Sequence, residues 1–290
     1  MVSSEIVIQV LVWGLVLGCI YALAASGFSL IFGVTKVINL AHGQLIMLGG
    51  YASYWIVYSL KLNPYLIIPV AMLVSGVVGL IFYYLCFRRI IGAEKLREAF
   101  LAIGLVYIIE NLAVFFWKED TRIILSPYRE ISLKTEILNM GLDQALIIIV
   151  TMAIFVFFSF FIAKMNLGKI LRAVSQNREA AAMVGINLSK IDALTFMLSG
   201  FLAGIGGVLL GIILYLNPYM GFGLTIIAFT IVVFGGMGSM MGAVVGALIF
   251  GIVQQFTVFF WGGEWSYTVA FALLLIILML KPQGLFGKAA

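Results

Sequence analysis

The chain is short of charge, of cysteine and of histidine. Only 10% of its 290 residues are charged, against about 25% in a soluble domain. Its two cysteines, Cys19 and Cys86, both fall inside apolar stretches, so neither a disulfide framework nor a thiolate metal site can be built from them. The single histidine, His42, excludes a His-Glu-x-x-His zinc site and any multi-histidine centre. No Gly-x-x-x-x-Gly-Lys-Ser/Thr loop is present: Gly168-Lys169 is followed by Ile170 and Gly287-Lys288 by Ala289. The chain therefore has no P-loop to cradle nucleotide phosphates. A basic stretch before the first apolar run is missing too, since the only charge there is Glu5. Residues 6–32 are accordingly read as a retained span, not a cleaved leader.

What is abundant is hydrophobicity, at 64% of residues and a mean hydropathy of +1.19. At about 20 residues per crossing this is enough for roughly nine spans. The apolar runs cover 6–32, 40–60, 64–87, 99–117, 144–163, 193–216, 223–234, 239–260 and 265–281. Inside lipid each run must satisfy its own backbone hydrogen bonds, which makes helices the default. The expected fold is an all-α polytopic membrane protein, one domain over residues 1–290. It has about eight full transmembrane helices plus one short broken helix. The broken one is the seventh run, which ends at Gly235-Gly236-Met237-Gly238-Ser239.

The net charge of +5 belongs to loops beside a membrane and carries no argument for nucleic acid. Arg88, Arg89, Lys95 and Arg97 mark one cytoplasmic loop, 88–98, and Lys164, Lys169, Arg172, Arg178 and Lys190 mark another, 164–192. The 118–143 loop is mixed in charge and is placed outside. Lys281 and Lys288 place the C-terminus inside, and counting back puts the N-terminus outside. Small residues recur at i, i+4 in Gly14/Gly18, Gly200/Gly204, Ala203/Gly207/Gly211 and Gly238/Gly242/Gly246. That spacing suits close helix packing, within the chain or at a seam between subunits. Two glycine-hinged stretches, Phe28–Gly50 and Phe222–Gly246, hint at an inverted repeat.

Three segments carry polar groups worth a role. In Val37–Gln44, Asn39, His42 and Gly43 share one face if helical. Two readings stand there: a capped helix start at the interface, or the lining or gate of a translocation pathway. Glu110 lies mid-run in Leu101–Trp117, where an ionised group costs about 2.5–3.5 kcal/mol and normally faces the bundle interior or a cavity. It is a pathway candidate or a structural polar contact. In Gly168–Leu209, Asn177 can cap a two-turn helix over Arg178–Val184 that Gly185 ends. Ser189–Asp192 then reads as a capping box for the next span. So short a helix is unstable alone and calls for docking on something else.

The sequence Glu179-Ala180-Ala181-x-x-x-Gly185 resembles the EAA---G loop of ABC-importer permeases, without the Ile-x-Leu-Pro tail of the maltose type. Gly18–Leu23 with Gly27–Val34, Val37–Gly43, and Phe234–Ser239 with Gly242-Ala243 narrow this further. Together they resemble the branched-chain amino-acid (hydrophobic amino acid uptake) permeases, specifically the shorter of the two paired subunits. The resemblance implies a transport subunit without enzymatic activity or cofactor of its own, ATP being bound by partner subunits. The implied partners are two ATPase subunits, a homologous second permease and an extracytoplasmic substrate-binding protein, assembled in a prokaryotic plasma (inner) membrane. It assigns Arg172, Glu179, Ala180, Ala181 and Gly185 to ATPase coupling. Asn39, His42, Gly43 and Glu110 remain the pathway or gate residues. Rival readings are a proton-coupled secondary carrier using Glu110 and His42, and an intramembrane protease pairing His42 with Ser199 or Ser239.

Overall fold

A computed structural model describes residues 4–134 and 139–287; Lys288, counted above for the C-terminal orientation, lies outside them. The chain folds as α1 (Ser4–Thr35), α2 (His42–Leu60), α3 (Pro64–Leu85), α4 (Lys95–Trp117), β1 (Ser132–Lys134), β2 (Asn139–Gly141) and α5 (Leu142–Lys164). Then follow α6 (Asn166–Gln176), α7 (Arg178–Met183), α8 (Leu188–Ile213), α9 (Met220–Gly235), α10 (Met240–Trp261) and α11 (Ser266–Leu280). All nine apolar runs are helical, and the expected all-α polytopic architecture is observed. Among the described residues seven helical stretches are long and apolar enough to cross a membrane. α2 and α9 are not among them: α9 has only 16 residues, whereas α2 has 19 but is too polar, opening on His42-Gly43-Gln44.

Both of these helices begin inside the bundle. The His42 ring hydrogen-bonds the carbonyl of Ala24 at 2.9 Å, eleven residues before the end of α1. At 1.5 Å per residue this is about 16 Å up the helix. Residues 36–41 thus double back along α1, and α2 starts deep inside the bundle. The same happens after α8: residues 214–219 turn back, and the start of α9 at Gly221 lies against Gly43. Both returns end in the same turn. The Asn39 side chain accepts from Ala41 N–H at 3.0 Å and the Asn217 side chain from Tyr219 N–H at 2.9 Å. The carbonyls of Asn39 and Asn217 accept from His42 N–H and Met220 N–H, each at 3.1 Å. Asn39–Gly43 and Asn217–Gly221 therefore share one turn geometry.

α8 is the central helix, buried along most of its length. Gly200 and Gly204 lie against Ser75, Gly76 and Ala71 of α3, and Gly207 against Ile46 and Gly50 of α2. Gly14 and Gly18 meet Ile252 and Leu248 of α10. These small-residue repeats serve packing within the chain.

The two ends of the bundle differ. One carries the start of α1 and the β1–β2 hairpin, whose register is Ser132↔Gly141, Leu133↔Met140 and Lys134↔Asn139. There the 118–131 segment is tied down by the Arg122↔Leu216 bridge. The other end carries α6, α7 and the tail after α11. The tail caps α9: Leu285 N–H and Phe286 N–H donate to the carbonyls of Phe234 and Gly235, each at 2.9 Å. These are carbonyls that a helix end leaves without partners.

The segment between α5 and α8 holds one surprise and one correction. Residues 166–176, expected as loop, form α6, an amphipathic helix burying Leu171 and Val174. The Ser189–Asp192 capping box does not form. Asn187 caps α8, accepting from Lys190 N–H at 3.1 Å. The Asp192 carboxylate is taken by Arg178, at 2.8 and 2.9 Å, while the Ser189 hydroxyl pairs with Tyr83 OH at 2.8 Å. A bidentate arginine offers a carboxylate more than a single backbone N–H does.

Candidate functional site

The two returning segments bring the starts of α2 and α9 together inside the bundle. Gly43 N–H donates to the Thr225 hydroxyl at 2.8 Å, and that hydroxyl donates to Gly221 C=O at 3.1 Å. A Cβ on Gly43 would lie 1.9 Å from the Gly221 oxygen, so only glycine fits. Asn39 and His42 are fully enclosed beside this junction. His42 Nε2 faces the Ala24 carbonyl, which places the ring proton there and leaves Nδ1 to accept from Ser199 Oγ at 3.2 Å. The ring also meets Phe28 edge-on. His42 is thus a strut between α1, α2 and α8. The proximity of Ser199 does not make a proteolytic dyad, because both side chains are wholly buried, out of reach of a peptide.

Glu110 is placed differently. It is 8% exposed on α4, and its Oε1 accepts from Gln44 Nε2 on α2 at 3.1 Å. It lines a cavity of about 320 Å³ with Ile103, Val106, Tyr107, Tyr219 and Phe222. Tyr219 also borders a second cavity of about 490 Å³, which Asn217, Gln254 and Tyr267 share. No hydrogen bond joins Glu110 to His42 among the described residues, so the pair proposed as a proton relay has separate partners. Gln44 and the Asn217–Gly221 turn were not singled out from sequence as site residues. The repeated Asn-x-x-x-Gly spacing was a readable signal for the turn.

At the opposite end, Asn177 Oδ1 accepts from Ala180 N–H at 2.9 Å and starts α7 as expected. The helix ends at Met183, and Gly185 follows in the left-handed region at φ +88°, where a Cβ is strained. Arg178 fixes the helix to the bundle through Asp192 and through the Val34 carbonyl of α1 at 2.8 Å. The Asp192 carboxylate raises the Arg178 guanidinium above its ordinary pKa. Glu179 is exposed and Ala180 half-buried, but Ala181 is buried in the chain itself. The outward tip is Met183 and Val184, 82% and 78% exposed. Arg172 lies apart on α6, its guanidinium on the Ala163 carbonyl.

The family described as branched-chain amino acid transport system / permease component matches residues 10–278. The high-affinity branched-chain amino acid transport system permease protein BraD of Pseudomonas aeruginosa is 31% identical, the match covering 97% of this chain and 96% of that protein. The corresponding permease protein LivH of Escherichia coli is 30% identical, over 95% of this chain and 94% of its own. Among solved structures, PsaBC from Streptococcus pneumoniae in complex with Fab superposes with a TM-score of 0.51 at 13% identity. It covers 94% of this chain and 92% of that one, a likeness of fold alone. A bundle of crossing helices with two helices that start and meet inside it, matched over nearly its whole length, belongs to the branched-chain amino acid transport system permease family.

Proposed function

We propose that this chain is the membrane permease subunit of an ABC importer for branched-chain amino acids, driven by ATP bound on two partner ATPase subunits. A homologous second permease completes the membrane unit, and an extracytoplasmic binding protein delivers substrate to the hairpin end. The end bearing α6 and α7 faces the cytoplasm, in keeping with Arg88, Arg89, Lys95, Arg97, Lys164, Lys169 and Arg172 gathered there. The observation that carries the reading is α7: a capped two-turn helix, pinned by Arg178, with an apolar tip turned outward. Exposed Met183 and Val184 suit insertion into a partner groove, with Glu179, Ala180, Ala181 and Gly185 shaping the helix and Arg172 flanking it. Alternating access is then a rocking of packed helices driven from that tip. The Asn39–Gly43 turn, with His42 as strut, is its internal hinge, and Glu110 faces the pathway.

The test is reconstitution with the ATPases, second permease and binding protein in vesicles, following uptake of labelled leucine, isoleucine and valine. Expected is uptake that requires ATP and survives a protonophore. Uptake that collapses with the protonophore and survives ATP depletion would replace this reading with a secondary carrier.

A further inference from the structure

Glu110 is a carboxylate well inside a span with no cationic side chain on it among the described residues. Its one hydrogen-bond donor is a neutral amide. The other half of that amide, Gln44 Oε1, is itself buried without a partner. The cluster therefore holds more acceptors than donors. Buried polar groups are nearly always satisfied, and an ionised group inside a membrane normally faces a counter-charge or a cavity.

Two helix starts lie beside the carboxylate. Gln44 is in the first turn of α2, and Tyr219 and Phe222 belong to the first turn of α9 and its cap. Helix N-termini carry partial positive charge and stabilise an anion beside them. The remaining walls are suited to a cation with an apolar body. Tyr107, Tyr219 and Phe222 present aromatic surface, against which an ammonium gains about 0.5–2 kcal/mol. Ile103 and Val106 complete an aliphatic side. At about 320 Å³ the cavity falls at the small end of the roughly 300–1,000 Å³ range of ligand sites. Tyr219 OH donates to Glu119 at 2.8 Å on the hairpin side, so the cavity's aromatic wall continues toward the end where substrate arrives.

We infer that the cavity at Glu110 is a transit site for a primary ammonium group, with Glu110 as the counter-ion of an amino acid passing through the permease. This rests on the reading that the chain carries amino acids. It adds which chemical group of the substrate the membrane subunit itself recognises.

The test uses the purified complex of both permeases and the ATPases, with the binding protein supplied, in vesicles of phosphatidylcholine alone, which excludes a lipid amine as occupant. Glu110→Gln keeps an acceptor for Gln44 and removes only the charge; Glu110→Asp keeps the charge. Expected is at least a tenfold loss of leucine uptake with Glu110→Gln, a smaller loss with Glu110→Asp, and normal subunit assembly in both. Wild-type uptake with Glu110→Gln, or equal losses in the two variants, overturns the inference. A second measurement covers the case in which Glu110→Gln fails to assemble. Phe222→Cys, with Cys19 and Cys86 replaced by serine, is labelled by a maleimide in the presence of leucine, 3-methylbutylamine or 4-methylpentanoate. Leucine and the amine should protect, and the acid, which lacks the ammonium, should not. Equal protection by the acid, or no protection by the amine, refutes an ammonium site. Absence of uptake of every branched-chain amino acid by the wild-type complex would instead refute the proposed function.

Discussion

Replacing Gly43 by alanine directly tests the junction of α2 and α9, the two helices that start inside the bundle. The added carbon would sit 1.9 Å from the Gly221 oxygen and 2.6 Å from the Thr225 hydroxyl. Ordinary contact requires more than 3 Å, so α2 and α9 must part by over an ångström. Neither can yield easily, since Gly207 of α8 already meets the backbone of α2 at Ile46 and Gly50. Parting also stretches the 2.8 Å bond from Gly43 N–H to Thr225. Overpacking costs about 1–3 kcal/mol and a buried donor left unsatisfied about 1–3 kcal/mol, together about 2–6 kcal/mol. Gly104 in α4 is the matched control, because a Cβ there meets nothing within 4 Å. In mid-helix, alanine should stabilise it by roughly 0.5–1 kcal/mol. The assay is thermal or SDS-induced unfolding of the purified complex, with leucine uptake measured in parallel. Gly43→Ala should lower the midpoint and uptake, and Gly104→Ala should leave both at or above wild type. A Gly43→Ala protein as stable and active as the Gly104→Ala control would refute the contact.

Asp192→Asn breaks the bidentate clamp on Arg178. With Asp192 buried and Arg178 about a fifth exposed, the loss is placed at about 2–3 kcal/mol, under the roughly 3–5 of a fully buried pair; limited proteolysis should cut sooner within 176–187. Met183→Asp with Val184→Asp alters only the exposed tip of α7, so the chain should insert normally while pull-down of ATPase subunits falls sharply; undiminished pull-down removes the tip from the docking surface. Gly185→Ala meets no steric obstacle, only the strain of φ +88°, and should cost about 1 kcal/mol, read as a small drop in uptake per assembled complex. A loss as large as that of Asp192→Asn would mean that Gly185 touches more than its own backbone.

The apolar runs located every crossing helix within a few residues, because lipid leaves a buried backbone no alternative to helix. Depth was not legible in the same way. Residues 40–60 are as long as a full crossing, yet α2 starts alongside Ala24, which depends on a contact between residues 18 apart. The α7 cap and its terminal glycine were readable because Asn177 and Gly185 act locally. The capping box failed because Arg178, from a separate helix, claims the Asp192 carboxylate. Leu167, Ile170, Leu171 and Val174 give α6 its helical period, but the interleaved Lys169 and Arg172 keep it from being an apolar run. Glu110 was recognisable as out of place in a span, whereas its partner Gln44 is 66 residues away and only the fold joins them. In the same way His42 announced itself as polar but not as a strut, since Ala24 and Ser199 complete it from α1 and α8.

The tail that caps α9 makes the last third of the chain a closed mechanical ring. α9 runs through the Gly236–Ser239 link into α10, then α11, and the tail returns to grip the last turn of α9 at Phe234 and Gly235. A push on that end of α9 is shared among three helices, so the ring shifts as one body. Arg178 anchors α7 to α1 and α8, outside the ring. α1 meets the ring at both α10, where Gly14 and Gly18 bring backbone against backbone, and α9, where Phe28 packs on Phe229. At its other end α9 is joined to α8 by residues 214–219, which the Arg122↔Leu216 bridge ties down. The same helix is gripped by the tail at one end and by its contact with α2 at the other, and the second end is the one that walls the cavities.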